Sequence, residues 1–251
     1  MRLQQLFEDI DSDQKKLSNA REAFDNFMIE FKGHIELLGL DEFDYFEKSY
    51  LDILRKLYKY TFKLTYKDNP LGVRVLPRNQ LTKNTIGKLI TTSINDGYTT
   101  TFKYEIHLYI NENNDEDLIS INDFYKMFTN MYKKVFVHEY VHFMDSVDSD
   151  NEEMYIDTKR KLRQSGKYID TPHEYNAFYI QIMHEIEHVF EDPSVMSIFS
   201  KNPSFDNFIS LIRVETHGGE MLSDLKGKYD KAFKKRLYQL YKTYLEKINR
   251  E

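Results

Sequence analysis

Two histidines and a glutamate interrupt an apolar helical run near the middle of the chain, in the stretch KKVFVHEYVHFMD from Lys133 to Asp145. Side chains at positions i and i+4 of an α-helix share a face, so His138 and His142 can direct both rings to one point. Glu139 is rotated away from that line. The stretch therefore predicts a helix that carries a site. The alternative is an ordinary helix whose histidines are satisfied by their neighbours.

Two imidazole nitrogens that converge on one point at about 2.0–2.1 Å suit a zinc ion. Glu139 can reach a water on such an ion without being a ligand itself, which is the role of a general base. The H-E-x-x-H spacing thus predicts zinc (Zn²⁺) as the cofactor, His138 and His142 as ligands, and Glu139 as the catalytic residue.

The residues before this helix favour a small sheet. The stretch TFKYEIHLYI at 101–110 alternates strictly between apolar and polar residues, which is typical of a half-buried strand. The β-branched stretch bounded by Pro70 and Pro77 predicts a shorter strand. Ser120 and Asp123 resemble an N-terminal cap for a helix over about 122–145.

The remaining chain reads as helical, so we predict an α+β fold that is mostly helical. Its expected parts are an N-terminal helical segment over residues 1–66 and a domain over 67–251 that has a small mixed sheet before the motif helix. Besides the motif helix, the predicted helices are 13–38, 41–64, 171–190, 203–216 and 227–249. Gly218-Gly219 is predicted to break the chain between the last two of them. Residues 146–170 are predicted to be a loop with a short helical piece.

Composition narrows the possible partners. The chain has 251 residues, a net charge of −6 and no cysteine. An acidic chain without a basic run is a poor candidate for binding nucleic acid or an anionic membrane. No apolar window approaches the length of a membrane span and no signal peptide is evident, so a cytoplasmic location is expected.

The motif and its surroundings resemble the zincin metallopeptidases. Uncharged residues stand before, between and after the histidines (Val135-Phe136-Val137, Tyr140-Val141 and Phe143-Met144), as in the extended zincin consensus. Zincins also place a sheet with its edge strand ahead of this helix, and the strand at 101–110 is assigned to that place. The resemblance covers about residues 71–190. The chain is also similar to short metallopeptidases encoded by bacteriophages.

A catalytic zinc has three protein ligands and one open position. The resemblance implies a glutamate on a later helix as the third ligand, and Glu174 matches in the pattern Pro172-x-Glu174-x-x-Ala177. The alternative for Glu174 is a capping box with Thr171. Asp148 has the spacing of another zincin branch, but Asp145 replaces that branch's glycine. Glu152, Glu153 and His173 are further options.

A second H-E-x-x-H spelling, His184-Glu185-Ile186-Glu187-His188, has a charge at an inner position. We interpret it as a solvated polar face. The alternative is a separate metal site at this second motif, which either Glu215 or Glu220 would complete.

The resemblance implies a peptidase that hydrolyses peptide bonds in peptides or proteins. It also implies an oxyanion donor, for which His173, Tyr175 and Tyr155 are candidates, and a carboxylate that orients one histidine, for which Asp145 and Asp170 are candidates. An extended peptide would add to the edge strand, taken as 101–110. Two alternatives are an inactive zinc-binding regulatory or virion-associated protein, and a helical interaction protein without metal.

Overall fold

The computed structural model describes residues 3–38, 48–49, 55–78, 85–96, 100–110, 118–149, 172–220 and 229–248. The fold is α+β, as the sequence predicts. The chain forms two compact units, one of residues 1–17 with 148–251 and one of residues 18–147. The division drawn from the sequence, between residues 66 and 67, is a different one and stays a prediction. No helix within the described ranges is long and apolar enough to cross a membrane.

A mixed sheet lies in the unit of residues 18–147. Its strands are β2 (Phe62–Tyr66), β3 (Asn69–Pro77), β4 (Gly87–Asn95) and β5 (Thr100–Ile110), in the order β2-β3-β5-β4. The β3–β5 pair is parallel and the other pairs are antiparallel. The short strands β1 (Lys48–Ser49) and β6 (Leu118–Ile119) pair separately.

The alternation predicted for β5 is confirmed over residues 104–108, where Tyr104, Ile106 and Leu108 are buried and the residues between them are half-buried, but at the end of the strand both Tyr109 and Ile110 are buried. This face of the sheet is covered by helix α2 (Ile121–Val147). The Tyr104 hydroxyl lies 2.9 Å from Ser146 Oγ on that helix, and the Tyr104 ring lies 5.0 Å from that of Phe143. The length of α2 is close to that of the predicted helix over about 122–145. The predicted cap is also present, because Ser120 Oγ accepts the Asp123 N–H at 3.1 Å.

Helix α1 (Leu3–Leu37) also supplies core residues to this unit. Seven fully buried phenylalanines from α1, β2 and α2 form one aromatic cluster, in which neighbouring ring centroids lie 4.6–6.1 Å apart. Edge-to-face and offset pairs at such distances stabilise beyond their buried area. The members are Phe24, Phe27, Phe31, Phe62, Phe124, Phe128 and Phe136.

The other unit is helical where it is described. Its elements are α3 (Pro172–Glu191), α4 (Pro193–Lys201), α5 (Phe205–Glu215), α6 (His217–Glu220) and α7 (Tyr229–Ile248). Asp192 caps α4 and Ser204 caps α5, each by accepting a backbone N–H of the first turn.

A buried arginine joins three helices of this unit. Arg236 Nη2 of α7 lies 2.6 Å from Asp13 Oδ1 of α1, and Nη1 donates to Asn176 Oδ1 of α3 at 3.2 Å. Its guanidinium lies 3.9 Å from the ring centroid of Tyr179. Burial opposes the charge, but the Asp13 carboxylate outweighs it and raises the pKa of Arg236.

Two predictions about elements are wrong. The helix over 41–64 is contradicted at Lys48–Ser49 and Phe62–Tyr66, which are strands, and within the described part of that range only residues 55–57 are helical. Gly218-Gly219 does not break the helical chain by itself, since both lie in the helical turn α6. Helix α4 and strand β4 were not predicted. Most of the loop predicted over 146–170 lies outside the described residues.

Candidate metal centre

His138 and His142 lie one turn apart on α2, with ring centroids 4.8 Å apart and ring planes at 84°. His138 is 9% exposed and His142 is 1% exposed. Both belong to the continuous buried stretch from Phe136 to Met144. The i, i+4 spacing on a helix thus places the two rings together, as the sequence predicts.

Glu174 completes a group with these histidines. It stands in the first turn of α3 and is 4% exposed. One ligand atom from each of His138, His142 and Glu174 lies within 4.8 Å of the others, so the group could hold a metal ion. Two imidazole nitrogens and one carboxylate oxygen are a donor set that zinc accepts. The structure therefore contains a possible metal-binding triad at the residues named from the sequence.

Glu139 is held by the backbone of β4. Glu139 as a whole is 9% exposed, and its Oε2 accepts the Leu89 N–H at 2.7 Å. Strands β4 and β5 are antiparallel, so the backbone groups of alternate residues of β4 point towards β5. Ile86 is one of these residues, because its C=O accepts the Tyr109 N–H. Leu89 lies three positions further on, so its N–H points away from β5 to the free edge of β4, where Glu139 accepts it.

A glycine brings β4 close enough for this contact. A Cβ added at Gly87 would lie 2.3 Å from Val135 Cγ1 on α2. No other residue fits there without displacing the strand or the helix. The Glu139 charge also acts on Tyr109, whose pKa is raised first by burial and then by that carboxylate. The sequence reasoning missed both Gly87 and the Leu89 amide, and the glycine in IGKLIT was the available signal.

The edge strand assigned from the sequence is wrong. Residues 101–110 belong to β5, an inner strand of the described sheet that pairs with β3 over residues 104–110 and with β4 over residues 100–108. Where β5 has both neighbours, its backbone groups are not available to a substrate. The edge of the described sheet beside the candidate centre is β4.

Asp148, the alternative third ligand that the structure describes, does not join the group. Asp148 is exposed just beyond the end of α2, and it is not among the clustered ligand atoms. Glu152, Glu153, Tyr155, Asp170 and the proposed cap Thr171 lie outside the described residues, as does the side chain of His173.

Two further residues named from the sequence lie in the described ranges. Tyr175, a candidate oxyanion donor, packs its ring 5.2 Å from Phe233 and 5.0 Å from the Arg236 guanidinium, both on α7. Asp145, a candidate orienting residue, is half-buried on the last turns of α2. Their predicted roles stay predictions.

The second motif is divided between surface and core. His188 is exposed and its Nδ1 lies 3.0 Å from Glu191 Oε2, whereas His184 is buried. Glu185 accepts hydrogen bonds from the Gly218 N–H and from Gln181 Nε2, both at 3.0 Å. The predicted solvated face is therefore correct for His188 and wrong for His184. Within the described ranges these side chains do not form a metal-ligating group.

Comparison with known proteins adds no assignment to this geometry. No protein-family model, curated protein or solved structure matches the chain.

Proposed function

We propose that this protein is a zinc-dependent peptidase, in which His138, His142 and Glu174 hold the metal and Glu139 is the general base. The observation that carries the proposal is the approach of those three ligand atoms to within 4.8 Å of one another. A glutamate adjacent in sequence to one of the histidines completes the set of groups that such a reaction needs.

The donor set has three members among the described residues, which favours a catalytic centre over a structural one. Structural zinc sites have four protein ligands, whereas catalytic sites have three and keep one position open. When bound, zinc lowers the pKa of water to about 7 and polarises a carbonyl group. All three side chains are at most 9% exposed, so competition from bulk water for their donor atoms is weak.

The hydrogen bond from Leu89 supports the assignment of Glu139 as the general base. The Leu89 N–H occupies Oε2 and fixes the orientation of the carboxylate. In this proposal Oε1 takes a proton from the attacking water and then delivers it to the departing amine. Proton transfer by a positioned side chain typically contributes about 10²–10⁴-fold to the rate.

The proposed substrate is an extended peptide that lies along β4. An exposed sheet edge offers backbone donors and acceptors to a further strand, and β4 presents such an edge in the described sheet, apart from the Leu89 N–H that Glu139 occupies. This replaces the expectation that placed the peptide on residues 101–110. A cytoplasmic location and a bacteriophage origin stay predictions from the sequence.

The second candidate function is a zinc-binding regulatory or virion-associated protein without peptidase activity. The hydrogen bond between Glu139 and Leu89 favours it, because a carboxylate that joins a helix to a strand also has a structural use. This candidate keeps the metal, whereas a helical interaction protein with a chance motif would not.

Glu139→Gln separates these functions, since glutamine accepts the Leu89 hydrogen bond but cannot take up the proton. We expect the purified variant to keep the zinc content of the wild type, measured by elemental analysis, and to cleave a mixed peptide pool at least about 100-fold more slowly. Glu185→Gln in the second motif is the matched control and should cleave normally. Zinc without cleavage in the wild type supports the regulatory candidate. No zinc uptake contradicts both.

A further inference from the structure

Lys88 lies on β4, the edge strand of the described sheet beside the candidate centre. It is exposed, and it is adjacent in sequence to Leu89, whose N–H holds Glu139. Gly87 and Leu89 face α2, so the side chain of Lys88 projects from the opposite face of the sheet. Lys88 forms no ion pair with any described residue.

Basic side chains form a row across this outer face. Lys88 on β4 is directly opposite His107 on β5, and His107 is directly opposite Arg74 on β3. Opposite charges at directly opposed positions of neighbouring strands stabilise a sheet. Because the Lys88 side chain is cationic and exposed, an acidic residue is favoured on a strand that lies beside it.

Glu105, a carboxylate on the outer face next to His107, is already engaged. It lies 3.0 Å from His107 Nε2 and 2.9 Å from Lys103 Nζ. Burial opposes ionisation of Glu105, but the hydrogen bonds from His107 and Lys103 outweigh it and lower its pKa. Glu105 is thus held by His107 and Lys103, and within the described residues the charge of Lys88 remains for a ligand.

We propose that Lys88 selects peptides with an acidic side chain at the position opposite it on the free edge of β4. The inference rests on the proposed function, since it names the substrate class of the same site. A peptide that adds to β4 places the side chain of the residue opposite Lys88 on the same outer face. An aspartate or glutamate there pairs with Lys88, whereas a lysine or arginine is repelled.

The test uses peptide pools that differ only in carrying aspartate or lysine at one scanned position. Cleavage is measured with the wild type, and binding of fluorescein-labelled pools is measured by anisotropy with the Glu139→Gln protein. We expect a two- to five-fold preference for aspartate at one position, which a cross-strand charge pair produces. The preference should decrease at about 1 M salt, where the Debye length is about 3 Å.

Lys88→Glu should reverse this preference in both measurements. Lys63→Glu is the matched control, because Lys63 is an exposed lysine on β2 at the other edge of the described sheet. It should leave the preference unchanged. The inference is overturned if the protein that keeps Lys88 binds the two pools equally. It is also overturned if Lys88→Glu leaves the preference unchanged. Tighter binding of every pool by Lys88→Glu overturns it too, because Lys88 then only discourages strand pairing.

The outcome separates the inference from the proposed function. If the wild type cleaves no pool, the peptidase proposal fails, and the binding measurements still decide the role of Lys88. If cleavage occurs without discrimination between the pools, only the inference fails.

Discussion

At the scale of single residues, substitution of Glu174 should lower the affinity for zinc, whereas substitution of Asp148 should not. Glu174 lies in the candidate metal group and Asp148 does not. We expect Glu174→Gln to weaken zinc affinity at least about 100-fold, because loss of a ligand exceeds the 10- to 100-fold effect of losing a group that only orients one. Asp148→Asn should leave the affinity unchanged. Competition with a chromophoric zinc chelator measures both, and the opposite ranking would make Asp148 the third ligand.

The pairing of the two histidines can be predicted from the sequence with the i, i+4 rule for α-helices alone. The helical period places His138 beside His142 whatever the rest of the fold does. Glu174 was identified only through the zincin resemblance, because its distance from the histidines depends on tertiary structure. Leu89 could not be identified at all. Its contribution is a backbone N–H, which every residue except proline has, and only its place on the strand edge makes it specific.

At the scale of elements, the approach of β4 to α2 depends on Gly87. We expect Gly87→Ala to destabilise the protein by about 1–3 kcal/mol, since the new methyl group would overlap Val135 Cγ1 and a β-branched side chain on a helix has little freedom to rotate. The strand should also move from Glu139 and lower any peptidase activity. Urea unfolding and the cleavage assay measure the two effects.

Gly33→Ala is the control for this substitution. Gly33 lies in α1 with nothing within 4 Å of an added Cβ, so the same change should stabilise by about 0.5–1 kcal/mol. The double variant Gly87→Ala, Val135→Ala should regain part of the lost stability. If Gly87→Ala is as stable as the wild type, the close approach of β4 to α2 is contradicted.

Strand β5 and strand β4 show why some elements were predictable. In β5 one face is buried and most of the other is less buried, so apolar and polar residues alternate. In β4 the second half is exposed on both faces, and GKLITTSIN therefore carries no alternation. Phe62 continued the helical spacing of the residues before it, and β2 was read as helix for that reason. Its pairing with β3 is a tertiary contact that local periodicity does not report.

At the scale of the whole molecule, the ion pair of Asp13 and Arg236 should be a main contributor to the unit that contains Glu174. We expect Asp13→Asn to lower the free energy of unfolding by about 3 kcal/mol, because it leaves a buried guanidinium without its counter-ion. Asp11→Asn, an exposed position on the same helix, should change stability by less than about 0.5 kcal/mol. Chemical denaturation measures the difference, and equal effects of the two changes would contradict this role.

Metal binding should also be visible in the stability of the entire chain. An ion that binds the folded state alone adds about 2.7 kcal/mol at a free concentration of 100 Kd. For a chain of this length that corresponds to a rise in Tm of about 5–10 °C. The rise should be reversed by EDTA and retained in Glu139→Gln, because Glu139 is not a proposed ligand.

His142→Ala should abolish the rise in Tm, whereas His188→Ala in the second motif should keep it. Each variant is compared with and without zinc, so the cost of removing a buried ring cancels. A zinc-dependent rise that survives His142→Ala and disappears in His188→Ala would place the metal at the second motif. The thermal shift thus tests, without any assay of activity, whether the paired histidines of α2 are the ones that bind zinc.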